Sequence, residues 1–168
     1  MISRARTGVT TYATPTDQEV VITRVVDAPR HLVWQAWTDP RHIAQWMLGP
    51  EGWTMPLCEI DLRPGGAWRY VWRRDDGSEM SMGGVVREVL PPERLVTTER
   101  WGPEWPETVN TMVLTESDGQ TTITLTIAYP SQAARDAALQ TGMKEGMELS
   151  FKRLDEALRA RRDASAQG

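Results

Sequence analysis

The stretch from Asp27 to Pro40, DAPRHLVWQAWTDP, constrains the fold more than any other part of the chain. Pro29 fits the first turn of a helix, where its missing N–H is not needed, with Asp27 or Ala28 near the cap. A second proline, Pro40, stops that helix, because its ring disfavours helical backbone in the residue before it. Leu32, Val33, Ala36 and Trp37 recur at helical spacing and give the helix one apolar face. Pro40 then opens another short helix over 40–47, ending before Gly49-Pro50. Upstream, Val20, Ile22 and Arg24 alternate with Val21, Thr23 and Val25, a β-branched run that predicts a strand. Residues 1–18 hold several threonines without either period and read as an extended arm.

From Trp53 to Tyr129 the punctuation changes to turns. Pro64-Gly65-Gly66, Asp75-Asp76-Gly77, Pro91-Pro92-Glu93 and Ser117-Asp118-Gly119 separate short segments of alternating character. The clearest is 121–129, with Ile123, Leu125, Ile127 and Tyr129 on one side and Thr122, Thr124 and Thr126 on the other. That pattern predicts an antiparallel strand with one wet face. After Pro130 the period becomes helical. Ser131 is a candidate cap, and Met143, Met147, Phe151, Leu154 and Leu158 mark one face of a long helix over 132–160. Gly142 and Gly146 inside it signal a close approach or flexible portal, or else a break near 140–142; the residues leave both open.

The expected architecture is α+β: a curved antiparallel sheet of about six to seven strands wrapped around a long C-terminal helix, with two short helices after strand one. One domain over 19–162 follows the arm, and 163–168 read as a frayed tail. Such a sheet does not close tightly on a single helix, so a cavity is expected between them.

Charge and motif content exclude several functions. Nineteen basic against twenty-three acidic residues give a net charge of −4, and the one basic cluster, Arg159, Arg161 and Arg162, suits a helix C-terminus rather than a phosphate backbone. No nucleic-acid partner is expected. The single cysteine, Cys58, fits a reducing compartment, and no signal peptide or long apolar run is found, so a cytoplasmic protein without membrane contact is expected. His31 and His42 lack the spacing and company of a metal site. No phosphate loop, nucleophile elbow or cofactor motif occurs; Gly65-Gly66 reads as a turn and Gly83-Gly84 as a strand bend or bulge.

Asp27-Ala28-Pro29, Val33-Trp34, Thr38-Asp39-Pro40, Trp46 with Gly49-Pro50, Asp61 to Trp68 (DLRPGGAW), Pro91 to Leu95 (PPERL) and Gly146 to Leu154 share one order and spacing. From about Val20 to Leu158 the chain thereby resembles the bacterial homologues of the activator of the ninety-kilodalton heat-shock chaperone's ATPase. These belong to the START-like, polyketide-cyclase superfamily with the birch-pollen-allergen (helix-grip) fold. Two departures stand out: Trp46-Met47-Leu48 replaces a Trp-Trp run, and Gly146 is followed by Met147 rather than tryptophan. The resemblance implies the helix-grip fold and a pocket. A chaperone-activating role does not come with the fold. The eukaryotic activator carries a separate N-terminal domain that residues 1–18 are too short to be, so a chaperone partner ranks last.

Eight tryptophans against three tyrosines and one phenylalanine is an unusual balance. Trp68, Tyr70 and Trp72 share one face by period two and would either line the cavity, offering indole N–H and phenol groups to a flat ligand, or fill the core. Met80, Met82, Met112, Met143 and Met147 form a soft group of the same two readings. Glu99, near Trp101, could place a carboxylate at the cavity rim, with Arg69 an alternative anchor. Glu59 and Asp61 read as ion-pair residues. The ligand-binding candidates are Trp68, Tyr70, Trp72, Met82, Glu99, Trp101, Met112, Met143 and Met147, with no catalytic or metal-binding residue named. The expected function is binding of a small, mainly apolar, aromatic or polyketide-like molecule. A cyclase- or hydrolase-type enzyme using a cavity carboxylate is the alternative, and a homodimer through a sheet edge is left open.

Overall fold

Every second side chain of the strand Glu19–Val26 is buried: Val20, Ile22, Arg24 and Val26 point inward, and their neighbours are half-exposed. The computed structural model describes residues 6–167. The strands β1 (Thr10–Ala13) and β2 (Glu19–Val26) come first, followed by helices α1 (Arg30–Thr38) and α2 (Pro40–Trp46). Six strands follow: β3 (Trp53–Ile60), β4 (Ala67–Arg74), β5 (Glu79–Leu90), β6 (Arg94–Glu99), β7 (Thr108–Ser117) and β8 (Gln120–Ala128). The helices α3 (Gln132–Leu139) and α4 (Met143–Gln167) close the chain. The strands form one antiparallel sheet in the order β1-β2-β8-β7-β6-β5-β4-β3. The sheet curves around α4, whose Phe151, Leu154 and Leu158 pack with Val20, Ile22, Leu114 and Ile123 in the core. This is the helix-grip fold.

Three details correct the sequence expectations, and one decides between the two readings left open for 140–142. The sheet has eight strands rather than six to seven; β1, inside the segment read as an arm, pairs with β2 from Thr10↔Arg24 to Ala13↔Val21, while residues 1–5 lie outside the described part. Pro29 is itself the N-cap of α1, with no side-chain cap; Asp39 caps α2 by accepting from Arg41 N at 2.9 Å. The helix over 132–160 is two helices, because Gly142 takes φ +77°, a left-handed value that glycine adopts without penalty. Finally, α4 continues through 163–167, read as frayed; Gly168 lies outside the described part.

Two glycine pairs shape the sheet. The β5 strand pairs with β4 through residues 79–85, then with β6 from Val86 onward, with a register shift between Val86 and Glu88. A Cβ on Gly84 would lie 2.0 Å from the Thr98 carbonyl oxygen, so no side chain fits. The Asp61–Gly66 turn is equally tight: Gly65 N donates to Val86 O at 2.7 Å and Val86 N to Gly66 O at 2.8 Å. Those backbone groups serve the turn and do not form an anion cradle.

Arg24 fastens α4 to the sheet. Its guanidinium, 2% exposed, donates to Asp155 Oδ2 at 2.5 Å and Thr10 Oγ1 at 2.6 Å, and lies 5.1 Å from the Phe151 ring centroid. Glu148 sits 3.7 Å away.

Candidate ligand-binding cavity

Period two turns alternate residues of five strands toward α4. They are Trp68, Tyr70 and Trp72 on β4, Met80 and Met82 on β5, Leu95, Thr97 and Glu99 on β6, Thr108, Asn110 and Met112 on β7, and Leu125, Ile127 and Tyr129 at β8 and its end. With Trp37, Trp46, Met47, Met143, Met147 and Phe151 from the helices, they enclose a cavity of about 630 Å³. All nine sequence-predicted ligand residues line it: Trp68, Tyr70, Trp72, Met82, Glu99, Trp101, Met112, Met143 and Met147. Trp68, Tyr70, Trp72, Met82 and Met112 also belong to the buried core, so the two readings of the aromatic and methionine groups describe the same wall.

The rings are fixed by one another and by the backbone. Trp68 lies 4.9 Å from Tyr70 between centroids, Tyr70 meets Trp72 edge-on, and Trp72 stacks on Trp101 at 5.4 Å with planes 8° apart. The indole N–H groups are not ligand handles, contrary to expectation. Trp68 Nε1 donates to Thr98 O at 2.9 Å, Trp72 Nε1 to Met47 O at 2.7 Å and Trp46 Nε1 to Ala36 O at 2.8 Å. Satisfying these donors internally leaves flat apolar faces toward the cavity.

Polar groups gather at one place. Glu99 accepts from Trp101 Nε1 at 3.2 Å and from the Asn110 side-chain amide. Thr108 Oγ1 donates to Asn110 Oδ1 at 3.0 Å, which turns the Asn110 amide N–H toward Glu99. Burial raises the Glu99 carboxyl above its ordinary value, and the two hydrogen bonds only partly oppose that. Burial likewise pushes the Tyr129 phenol up to about 12, with the Glu99 charge adding to the rise. Tyr70 shifts in the same direction, burial again being the largest cause.

Other candidates stand elsewhere. Arg69 is exposed on β4, opposite Glu59 in the β3–β4 register, and does not line the cavity. Asp61 is held by Arg63 Nε at 2.8 Å, outside the cavity. Val71 is 7% exposed but does not line the cavity. Burial raises the Cys58 thiol to about 11, which keeps it protonated and unreactive at neutral pH. His31 is exposed, and neither it nor His42 lines the cavity. Among the described residues no three His, Cys, Asp or Glu side chains are grouped to hold a metal ion, and no helix is long and apolar enough to cross a membrane.

Sequence reasoning missed Trp37, Trp105, Asn110 and Tyr129 as cavity residues. Tyr129 was on the recognised stripe of 123–129 and Trp37 on the apolar face of α1. Trp105 and Asn110 carry no local signal, since their placement depends on how β6 and β7 pair.

Comparison with known proteins agrees with this architecture. A Rhodobacter sphaeroides protein of solved structure is 28% identical, with a TM-score of 0.84 over 90% of this chain and 99% of its own. Protein Ms6760 from Mycobacterium smegmatis is 26% identical, with a TM-score of 0.78 over 89% of this chain and 97% of that one. Protein NE0264 from Nitrosomonas europaea, at 24% identity and TM-score 0.78 over 89% and 99%, shares the fold. No curated protein matches the sequence. Residues 27–159 match the family described as "Activator of Hsp90 ATPase homolog 1-like protein". With most of its length matched, the chain belongs to that family.

Proposed function

We propose that this protein binds a small, mainly apolar molecule, aromatic or polyketide-like, between the sheet and α4. The observation that carries the reading is the wall itself. A cavity of about 630 Å³ falls within the range usual for small-molecule sites and is lined mostly by indole, methionine and aliphatic side chains. Trp68, Trp72 and Trp101 would supply ring faces, and Met112, Met143 and Met147 would adapt to ligand shape. The driving force would be apolar burial.

The position of Glu99 favours a second reading, an enzyme of the cyclase or hydrolase type. Burial raises the Glu99 carboxyl above its ordinary value, the direction that general-acid chemistry needs. No partner base stands beside it, so binding is the better-supported function.

The test is emission of N-phenylnaphthylamine, a neutral probe that brightens in apolar surroundings. Wild type should bind it saturably, and Met147→Trp, which fills the cavity from α4, should weaken binding at least about tenfold, or ~1.4 kcal/mol. Unchanged affinity in a folded Met147→Trp variant would remove the cavity as the site. A wild type that does not brighten the probe would sink the reading and direct attention to the ATPase rate of an Hsp90-type chaperone.

A further inference from the structure

Among the described residues that face the cavity, Glu99 alone carries a formal charge, and nothing opposite neutralises it. No Lys, Arg or His side chain lines the cavity. The influences on the carboxyl are burial and its two neutral donors, Asn110 and Trp101, with no cation among them. Asp155, Asp61 and Glu79, by contrast, each have an arginine within hydrogen-bond distance.

The carboxylate is also held in place. Thr108 orients Asn110, Asn110 and Trp101 both donate to Glu99, and Trp101 is itself stacked on Trp72. A carboxylate has about four acceptor positions, so two donors leave capacity for a ligand. Tyr70 and Tyr129 lie close enough to feel the Glu99 charge. The single anion thus shares the cavity with aromatic rings, whose electron-rich faces also attract cations.

Three kinds of ligand head group can be compared. An anion would be repelled by Glu99 and would meet no positive charge. A hydroxyl could form one hydrogen bond. A protonated amine would supply the missing counter-charge, donate to the unoccupied acceptor positions and gain from the surrounding rings. We propose that the cavity selects molecules carrying a protonated amine on an aromatic or otherwise apolar body, with the ammonium seated on Glu99 among Trp101, Tyr70 and Tyr129. This specificity rests on the apolar-ligand reading above.

The experiment compares three probes of one skeleton by isothermal titration at neutral pH: naphthylethylamine, naphthylethanol and naphthylacetate. The amine should bind at least about tenfold more tightly than the alcohol, or ~1.4 kcal/mol, and the acetate most weakly. Glu99→Gln keeps the side-chain shape and an acceptor for Trp101. It should abolish the advantage of the amine, bringing amine and alcohol to within about twofold of each other. An alcohol that binds as well as the amine overturns the proposal, as does a preference for amine that survives in Glu99→Gln; in both cases the apolar-ligand reading stands. Silence from all three probes also overturns it, and N-phenylnaphthylamine then decides separately whether the cavity binds anything apolar.

Discussion

Replacing Arg24 with methionine isolates the contact that ties the closing helix to the sheet. Methionine keeps much of the aliphatic stem but removes a guanidinium that is 2% exposed and bonded to Asp155 and Thr10. Breaking a buried ion pair by deleting one partner costs about 3–5 kcal/mol. Here the Asp155 and Glu148 side chains are 22% and 38% exposed, so water can take over part of the solvation. That places the expected loss at or below the lower end of that range, about 2–3 kcal/mol. For a domain of this size the melting temperature should fall by roughly 5–10 °C. Urea unfolding followed by tryptophan emission would measure the loss, with an unchanged m-value showing that the comparison is two-state. The double variant Arg24→Met/Asp155→Leu should recover most of it, because an apolar pair avoids the desolvation cost of two charges. A loss below about 0.5 kcal/mol, the scale of an exposed pair, would refute the reasoning, as would a double variant no better than the single one.

Two further predictions concern glycines and the cavity carboxyl. Gly84→Ala should be severely destabilising or yield little soluble protein, since its Cβ collides with the Thr98 carbonyl that also accepts from Trp68. Gly146→Ala, with nothing within 4 Å of the added carbon, should instead stabilise by about 0.5–1 kcal/mol. Equal effects in urea melts would contradict both assignments. Because burial raises the Glu99 pKa in the folded state, the native protein holds that proton in a range where the unfolded chain has lost it. The Glu99 contribution therefore favours folding at low pH and is lost as pH rises from the ordinary glutamate value through the raised one. Glu99→Gln should accordingly be more stable than wild type at neutral pH, with the gain vanishing toward acid. A gain that is the same at both ends of a pH series of melts would count against the burial argument.

Much of the fold was legible because its signals are local. The alternation of 121–129 defines β8 and the cavity side of its face, Pro40 opens α2, and Pro64-Gly65-Gly66 makes the turn before β4. The β1 strand was not legible: four residues, TTYA, have no apolar alternation and become a strand only by pairing with β2. The start of α1 was misplaced because Pro29 occupies the cap position without a side-chain hydrogen bond. Within the cavity, period two identified Trp68, Tyr70 and Trp72. The Thr108–Asn110–Glu99 chain was hidden, since it depends on Glu99 lying opposite Thr108 and Thr97 opposite Asn110 across β6 and β7. The commitment of the indole N–H groups to backbone carbonyls was equally invisible, because each acceptor lies on a different element.

An open sheet leaves two strands with unsatisfied outer edges, and both are poor templates for another copy of the chain. One edge is β1, only four residues long. The other is β3, where Pro56 has no N–H to donate and the register slips between Thr54 and Leu57. A strand approaching either side would find its hydrogen-bond ladder broken after a few rungs. The curvature that makes room for a ligand thus comes without the continuous exposed edge through which sheet proteins aggregate.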